Sequence, residues 1–114
     1  MVKQSPDLDR MFFALADPTR RAILTQLGRG GATVSEIAQP LTISLPAVVG
    51  HLNILERSGL ISTRKQGRVR TCRIEPQQFE VAQTWLAQQR AMWEARFDRM
   101  DAFILNHDNE RDTT

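Results

Sequence analysis

Residues 33–74 constrain this chain most, because four signals follow one another there in a fixed order. Thr33-Val34-Ser35-Glu36 has the form of a capping box, in which a Thr hydroxyl and a Glu carboxylate three residues on satisfy free amides at a helix start. Pro40 soon ends that helix. Past Leu41-Thr42-Ile43, Ser44 is placed to cap a second helix, which tolerates Pro46 in its first turn because amides there lack intrahelical acceptors, and which Gly59 closes. Two predicted strands follow, at 60–64 and 68–74, with Gln66-Gly67 at the bend, where Gly supplies the positive φ of a tight hairpin. Helix, turn, helix and hairpin in this order predict a winged helix-turn-helix, whose second helix is built to enter a major groove.

The hairpin carries Arg64, Lys65, Arg68, Arg70 and Arg73 and no acid. On an element too small for a core of its own, that is either a solvated charged surface or a wing that lays cations along phosphates and into a minor groove. The formal net charge of +2 conceals a polarity along the chain. Residues 29–74 hold Arg29, Arg57 and the five hairpin cations against Glu36 and Glu56, whereas 75–114 hold Arg90, Arg96, Arg99 and Arg111 against twice as many acids. A basic middle beside an acidic end suggests one face for nucleic acid and another for protein contacts.

At 114 residues the chain has the size of one small domain, with a core modest enough that a partner is expected. Leu8, Met11, Phe12 and Leu15 recur at helical spacing before Asp17-Pro18, the N-cap and first-position signature of the next helix, whose buried side is Ile23, Leu24 and Leu27. A final helix is predicted over 76–105, roughly eight turns at about 3.6 residues each. Phe79, Ala82, Leu86, Trp93, Phe97, Met100 and Ile104 form a stripe along it, widened by Trp85 and Phe103. Such a stripe is an ordinary core face in most helices, but this one outlasts the body it starts from and would leave a large apolar patch on a monomer. The expected organisation is mainly α (α+β): a winged helix-turn-helix domain at 1–75 (helix-turn-helix 34–58, wing 60–74), a C-terminal dimerisation helix at 76–106 and a flexible tail at 107–114. The expected two-fold interface uses Leu8, Met11, Phe12, Leu15, Trp85, Trp93, Phe97, Met100 and Ile104.

At about 100° per residue, Val48, Leu52 and Leu55 fall together on the core side of the second helix, and Pro46, Val49, Gly50 and Asn53 lie opposite. Only Asn53 among these offers base-edge hydrogen bonds, so direct readout is expected to be thin. Thr42, Ser44 and the amides around Leu45 are expected to hold phosphates, Pro46 and Val49 to meet thymine methyls, and Arg64, Lys65, Arg68 and Arg70 to supply the wing contacts. His51 sits at the border of the core side, with a packed role and a DNA contact both open; Arg20 and Arg21 are open in the same way between phosphate and local acids such as Asp17.

The runs Ala14-Leu15-Ala16-Asp17-Pro18-Thr19-Arg20-Arg21-Ala22-Ile23-Leu24, Thr33-Val34-Ser35-Glu36-Ile37-Ala38, Ser44-Leu45-Pro46-Ala47-Val48-Val49-Gly50-His51-Leu52 and Ser58-Gly59-Leu60-Ile61 together resemble the ArsR family of bacterial winged-helix repressors. Trp85-Leu86 and Trp93-Glu94 on the long last helix look like the branch without obvious metal sites. The resemblance implies a homodimeric repressor that binds an imperfect inverted repeat near a promoter and is released by an unidentified signal. Leu45, Val49 and Gly50 depart from the family's more polar pattern, which bears on base contacts and not on the fold.

Metal-sensing members resemble one another in a Cys pair on the first helix of the motif, where this chain has Thr33 and Ser35, or in His and Asp pairs on the last helix, where it has no His before His107. One Cys and two His supply too few soft or borderline ligands within a subunit, so neither a metal nor another cofactor is expected. Cys72, flanked by Arg70 and Arg73, reads as a buried strand residue before it reads as a redox sensor. No catalytic constellation is visible, so no enzyme is expected. With no apolar run of about 18 residues and no signal-peptide layout, the expected location is the cytoplasm, away from membranes. The expected partners are double-stranded DNA and a second copy of the chain. The rival reading is a dimeric protein-interaction module that kept the winged-helix shape and lost specific DNA binding, suggested by the apolar residues on the recognition face.

Overall fold

Local capping chemistry sets where the helices begin. In the computed structural model, which describes residues 6–112 and the side chains of 7–105, the element order is α1 (Pro6–Leu15), α2 (Pro18–Leu27), β1 (Ala32–Thr33), α3 (Val34–Ala38), α4 (Leu45–Arg57), β2 (Ile61–Gln66), β3 (Val69–Ile74), a 3₁₀ turn (Pro76–Gln78) and α5 (Phe79–Asp112). Asp17 caps α2 by accepting from the Arg20 amide at 3.0 Å, with Pro18 at the first helical position. The box at α3 is reciprocal: Glu36 N–H donates to Thr33 Oγ1 at 3.2 Å, and Thr33 N–H donates to Glu36 Oε1 at 3.1 Å. Ser44 Oγ accepts from the Ala47 amide to start α4, and Gly59 leaves it with φ +81°, a conformation that costs a Cβ-bearing residue strain.

Met11, Ala14, Ile23, Leu24, Leu27, Ile37, Val48, Leu52, Leu55, Leu60, Ile61, Cys72 and Ala82 make one buried cluster. Each fully buried Leu or Ile there contributes about 1.5–3 kcal/mol relative to exposure. The expected inner side of α4 (Val48, Leu52, Leu55) and of α2 (Ile23, Leu24, Leu27) is the observed one. Met11, expected in the two-fold interface, is 1% exposed and packs in this core.

The wing also differs from the expected pattern. It is one part of a three-stranded antiparallel sheet in the order β1-β3-β2, with Ala32 opposite Cys72 and Thr33 opposite Thr71. In the hairpin Gln66 pairs with Val69, so Gly67 and Arg68 form the two-residue loop and Gln66 lies in a strand instead of at the bend. Gly67 has φ +60° and Arg68 does not have a positive φ, the pattern of a type II′ turn.

Two units divide the chain, Met1–Ala82 and Gln83–Thr114. The second consists of the greater part of α5, which starts after the 3₁₀ turn and reaches Asp112, past the end expected near 105. The tail expected at 107–114 is thus helical as far as Asp112, and its last two residues lie outside the described ones. On α5, Leu86, Trp93, Phe97, Met100 and Ile104 are 49–64% exposed, together with Met92 and Leu105.

Candidate nucleic-acid interface

The outward face of α4 and the wing enclose a groove of about 490 Å³ lined by Thr33, Val34, Ser35, Leu45, Val49, Lys65, Arg68, Val69 and Arg70. Val34, Leu45, Val49 and Val69 make part of its lining apolar, and Lys65, Arg68 and Arg70 make its wing side cationic. Thr42, Ser44, Leu45, Pro46, Gly50 and Asn53 are exposed, and Val49 is half-buried. Nothing stands within 4 Å of where a Gly50 Cβ would sit, so the backbone there is open to solvent.

The start of α4 offers a phosphate less than its position suggests. Pro46 has no N–H, the Ala47 amide is engaged by Ser44 Oγ, and the Val48 amide by the Ser44 carbonyl. Anion binding at a helix start depends on free amides, so the positive charge of the interface rests on the wing.

Alternation along the strands sorts the wing cations. Lys65 and Arg70 are register partners, as are Thr63 and Cys72, and these share the face turned toward α4. Arg64 pairs with Thr71 and Ser62 with Arg73, on the opposite face, where they border a second hollow of about 370 Å³ with Gln66. Arg68 occupies the tip. The five charges therefore do not form a single row.

Nor are all five uncompensated. Arg70 Nη2 donates to Glu56 Oε2 at 2.7 Å, and Thr63 Oγ1 donates to Glu56 Oε1 at 2.8 Å. The acid comes from α4 itself, two turns after Val49, and reading the wing in isolation concealed it. A signal was present in the sequence: Glu56 follows Val49 by seven residues, which places both on one side of a helix.

Arg20 and Arg21 close the end of α1. Arg20 Nε donates to the Ala14 carbonyl (2.8 Å), Arg20 Nη2 to the Phe13 carbonyl (2.9 Å) and Arg21 Nη1 to the Leu15 carbonyl (2.7 Å). Three consecutive carbonyls at the helix C-terminus thus receive cationic donors, Phe13 in addition to its bond from the Ala16 amide, which also complements the helix dipole. The remaining Arg20 Nη1 reaches His51 Nδ1 at 3.2 Å, and Asp17 Oδ2 lies 3.9 Å from the same nitrogen. His51 faces the scaffold through this ring nitrogen.

Cys72 is fully buried. Burial pushes its thiol above the ordinary value, with the Arg70 charge pulling it down and Glu56 pushing it up. That favours the neutral thiol, opposite to what the flanking arginines suggest in sequence. Among the described residues, no three His, Cys, Asp or Glu side chains gather as a metal site.

This arrangement defines a winged helix-turn-helix protein. A helix-turn-helix domain family model matches residues 15–64. The fold is similar to the crystal structure of an ArsR family transcriptional regulator with 52% identity and a TM-score of 0.77, covering 82% of this chain and 97% of that one. An ArsR-like transcriptional regulator from Rhodococcus sp. RHA1 is similar at 34% identity and a TM-score of 0.74, with 82% and 89% of the two chains covered. Among curated relatives, the transcriptional repressor SdpR of Bacillus subtilis is 41% identical over 54% of this chain and 68% of its own length. An HTH-type transcriptional regulator of Mycobacterium tuberculosis is 43% identical over 60% of this chain, and the match spans 64% of that protein's length. The chain belongs to the ArsR family of DNA-binding transcriptional regulators.

Proposed function

We propose that this protein is a cytoplasmic homodimeric repressor that binds an imperfect inverted repeat in promoter DNA. The observation that carries the reading is the groove between α4 and the wing, which joins a partly apolar lining to Lys65, Arg68 and Arg70. An α-helix fits a major groove, so α4 presents Leu45, Pro46 and Val49 to thymine methyls and Asn53 to a base edge. Lys65 and Arg68 then meet phosphates beside it. Thr42 and Ser44 flank the helix start on the same side. Sequence preference rests on methyl contacts and groove shape more than on bidentate hydrogen bonds.

The exposed residues Leu86, Trp93, Phe97, Met100 and Ile104 support dimerisation through α5, because contiguous apolar patches of that size are uncommon on monomeric proteins. Leu8, Phe12 and Leu15 of α1 and Trp85 of α5 remain in the proposed interface, and Met11 does not. Two copies related by a two-fold axis place two α4 helices against half-sites one helical turn or a multiple of it apart.

Mobility shift with the DNA preceding the gene, at several salt concentrations, tests this reading. Binding that falls steeply with salt, and that weakens when Lys65 and Arg68 are both replaced by Ala, supports it. A folded dimer that binds no duplex at low salt points instead to the protein-interaction reading, which the apolar Leu45 and Val49 favour.

A further inference from the structure

We propose that Glu56 is an internal competitor for the DNA: in the free protein it holds Arg70 on α4, and it gives Arg70 up to a backbone phosphate when duplex fills the groove. The inference rests on the DNA-binding reading and assigns a regulating residue to its interface.

Three observations converge on it. Arg70 lines the groove beside Lys65 and Arg68, so its guanidinium already lies where a phosphate would arrive. Its described polar partner is the Glu56 carboxylate at 2.7 Å. The pair is also partly open to water, with the Arg70 side chain 21% and the Glu56 side chain 43% exposed. Ion pairs in contact with solvent are weak individually, and a phosphate is a bidentate acceptor at least as well matched to a guanidinium as a carboxylate is. Exchange of one anion for another at Arg70 therefore needs no movement of the strand.

Thr63 explains why the acid stays in place after the exchange. Its hydroxyl donates to the other carboxylate oxygen at 2.8 Å, so Glu56 keeps a partner on β2 when Arg70 leaves. The carboxylate also adds a negative charge to a face that otherwise attracts phosphate. Both effects act in one direction, restraining affinity for every sequence alike.

The test is a cycle of four proteins, unaltered, E56Q, R70Q and the double variant, titrated with a duplex of about three helical turns at salt between about 50 and 200 mM. The amide introduced by E56Q still accepts from Thr63, so the strand contact survives. E56Q is expected to bind several-fold more tightly than the unaltered chain. R70Q is expected to lower the slope of log affinity against log salt by about 0.9, the share of one phosphate. E56Q should gain clearly less in the R70Q background, where the competition for Arg70 is gone and only the charge of the carboxylate is left to remove.

Weaker binding by E56Q would show that the pair is only a strut orienting the wing, and an unchanged slope in R70Q would show that Arg70 never meets phosphate. Either result overturns the proposal. A readout free of substitutions is the Arg70 Nε–H resonance of the unaltered protein. It should move on adding duplex, and an unmoved signal also refutes the exchange. If the unaltered chain binds no duplex, the DNA reading itself fails; if it binds and E56Q weakens it, only the competitor role fails.

Discussion

Arg20 Nη1 lies 3.2 Å from His51 Nδ1, and this contact joins the start of α2 to the middle of the recognition helix. A guanidinium has no acceptor, so in this contact Arg20 is the donor and His51 Nδ1 the acceptor. The other Arg20 nitrogens hold the Phe13 and Ala14 carbonyls, and the guanidinium lies 5.2 Å from the centroid of the Phe13 ring. One buried side chain thus fixes α1, α2 and α4 relative to one another.

Arg20→Met should therefore cost about 1–3 kcal/mol of stability, since it leaves the buried Ala14 carbonyl without the guanidinium donor and removes the bonds to Phe13 and to the part-buried His51 ring. His51→Ala should cost less, because Arg20 keeps both carbonyls. Urea denaturation of the three proteins checks the order. Equal stability of Arg20→Met and the unaltered chain would remove the fixing role.

What could be read in the sequence, and what could not, divides along this line. The Asp17, Thr33–Glu36 and Ser44 caps are contacts between residues three apart, and the types alone announce them. The inner face of α4 follows from helical period. The roles of Arg20 and Arg70 depend on partners 31 and 14 residues away, and only the packed fold brings these together. Met11 is ambiguous for a related reason: an amphipathic stripe shows which side of α1 is apolar, not whether its own core or a partner covers it. The wing register turned on whether the loop was Gln66-Gly67 or Gly67-Arg68, a one-residue choice that slides every cross-strand partner by two positions and sets Arg70 opposite Lys65 instead of Thr63.

The caps also set an acid limit. The Arg20 amide holds the Asp17 carboxyl below its ordinary value of 3.8, and the Thr33 amide and hydroxyl hold that of Glu36 below 4.5. A carboxyl depressed by folding contributes stability that is present above its unfolded value and lost as pH falls through the folded one. Unfolding midpoints in urea should therefore drop below about pH 4. Asp17→Asn and Glu36→Gln keep capping ability at neutral pH and should flatten the acid limb. An acid limb unchanged in the double variant would assign the loss to other groups.

Gly50 is helical, exposed and free of neighbours within 4 Å of a built Cβ. Gly50→Ala should raise stability by about 1 kcal/mol, the usual helix-interior difference. If DNA lies against this face, the added methyl group should weaken duplex binding at the same time. Thermal melting and mobility shift on one preparation read both. A gain in stability with unchanged binding would place the DNA away from Gly50.

Cys72 should behave as a packing residue. It is fully buried and its thiol is pushed upward by burial, so little thiolate is available at neutral pH. Thiol reagents should label it only as fast as the protein opens, and mild peroxide should leave duplex binding intact. Rapid labelling of the folded protein would contradict the assignment.

The size of the particle in solution tests the part of the reading that reaches furthest from the described head. At about 100° per residue, Leu86, Trp93, Phe97, Met100 and Ile104 fall on one side of α5, and all are 49–64% exposed. Sedimentation at micromolar concentration should give about twice the 13.0 kDa of one chain. Replacing Trp93 and Phe97 by Glu sets four like charges against each other across a two-fold axis, two from each subunit, and should leave a monomer. That monomer should keep the α4 and wing surface but lose most of its affinity for a palindromic site, because each head then binds alone without the effective concentration its partner provided. A 13.0 kDa species from the unaltered chain would leave the α5 face without an occupant and remove the two-fold basis for reading an inverted repeat.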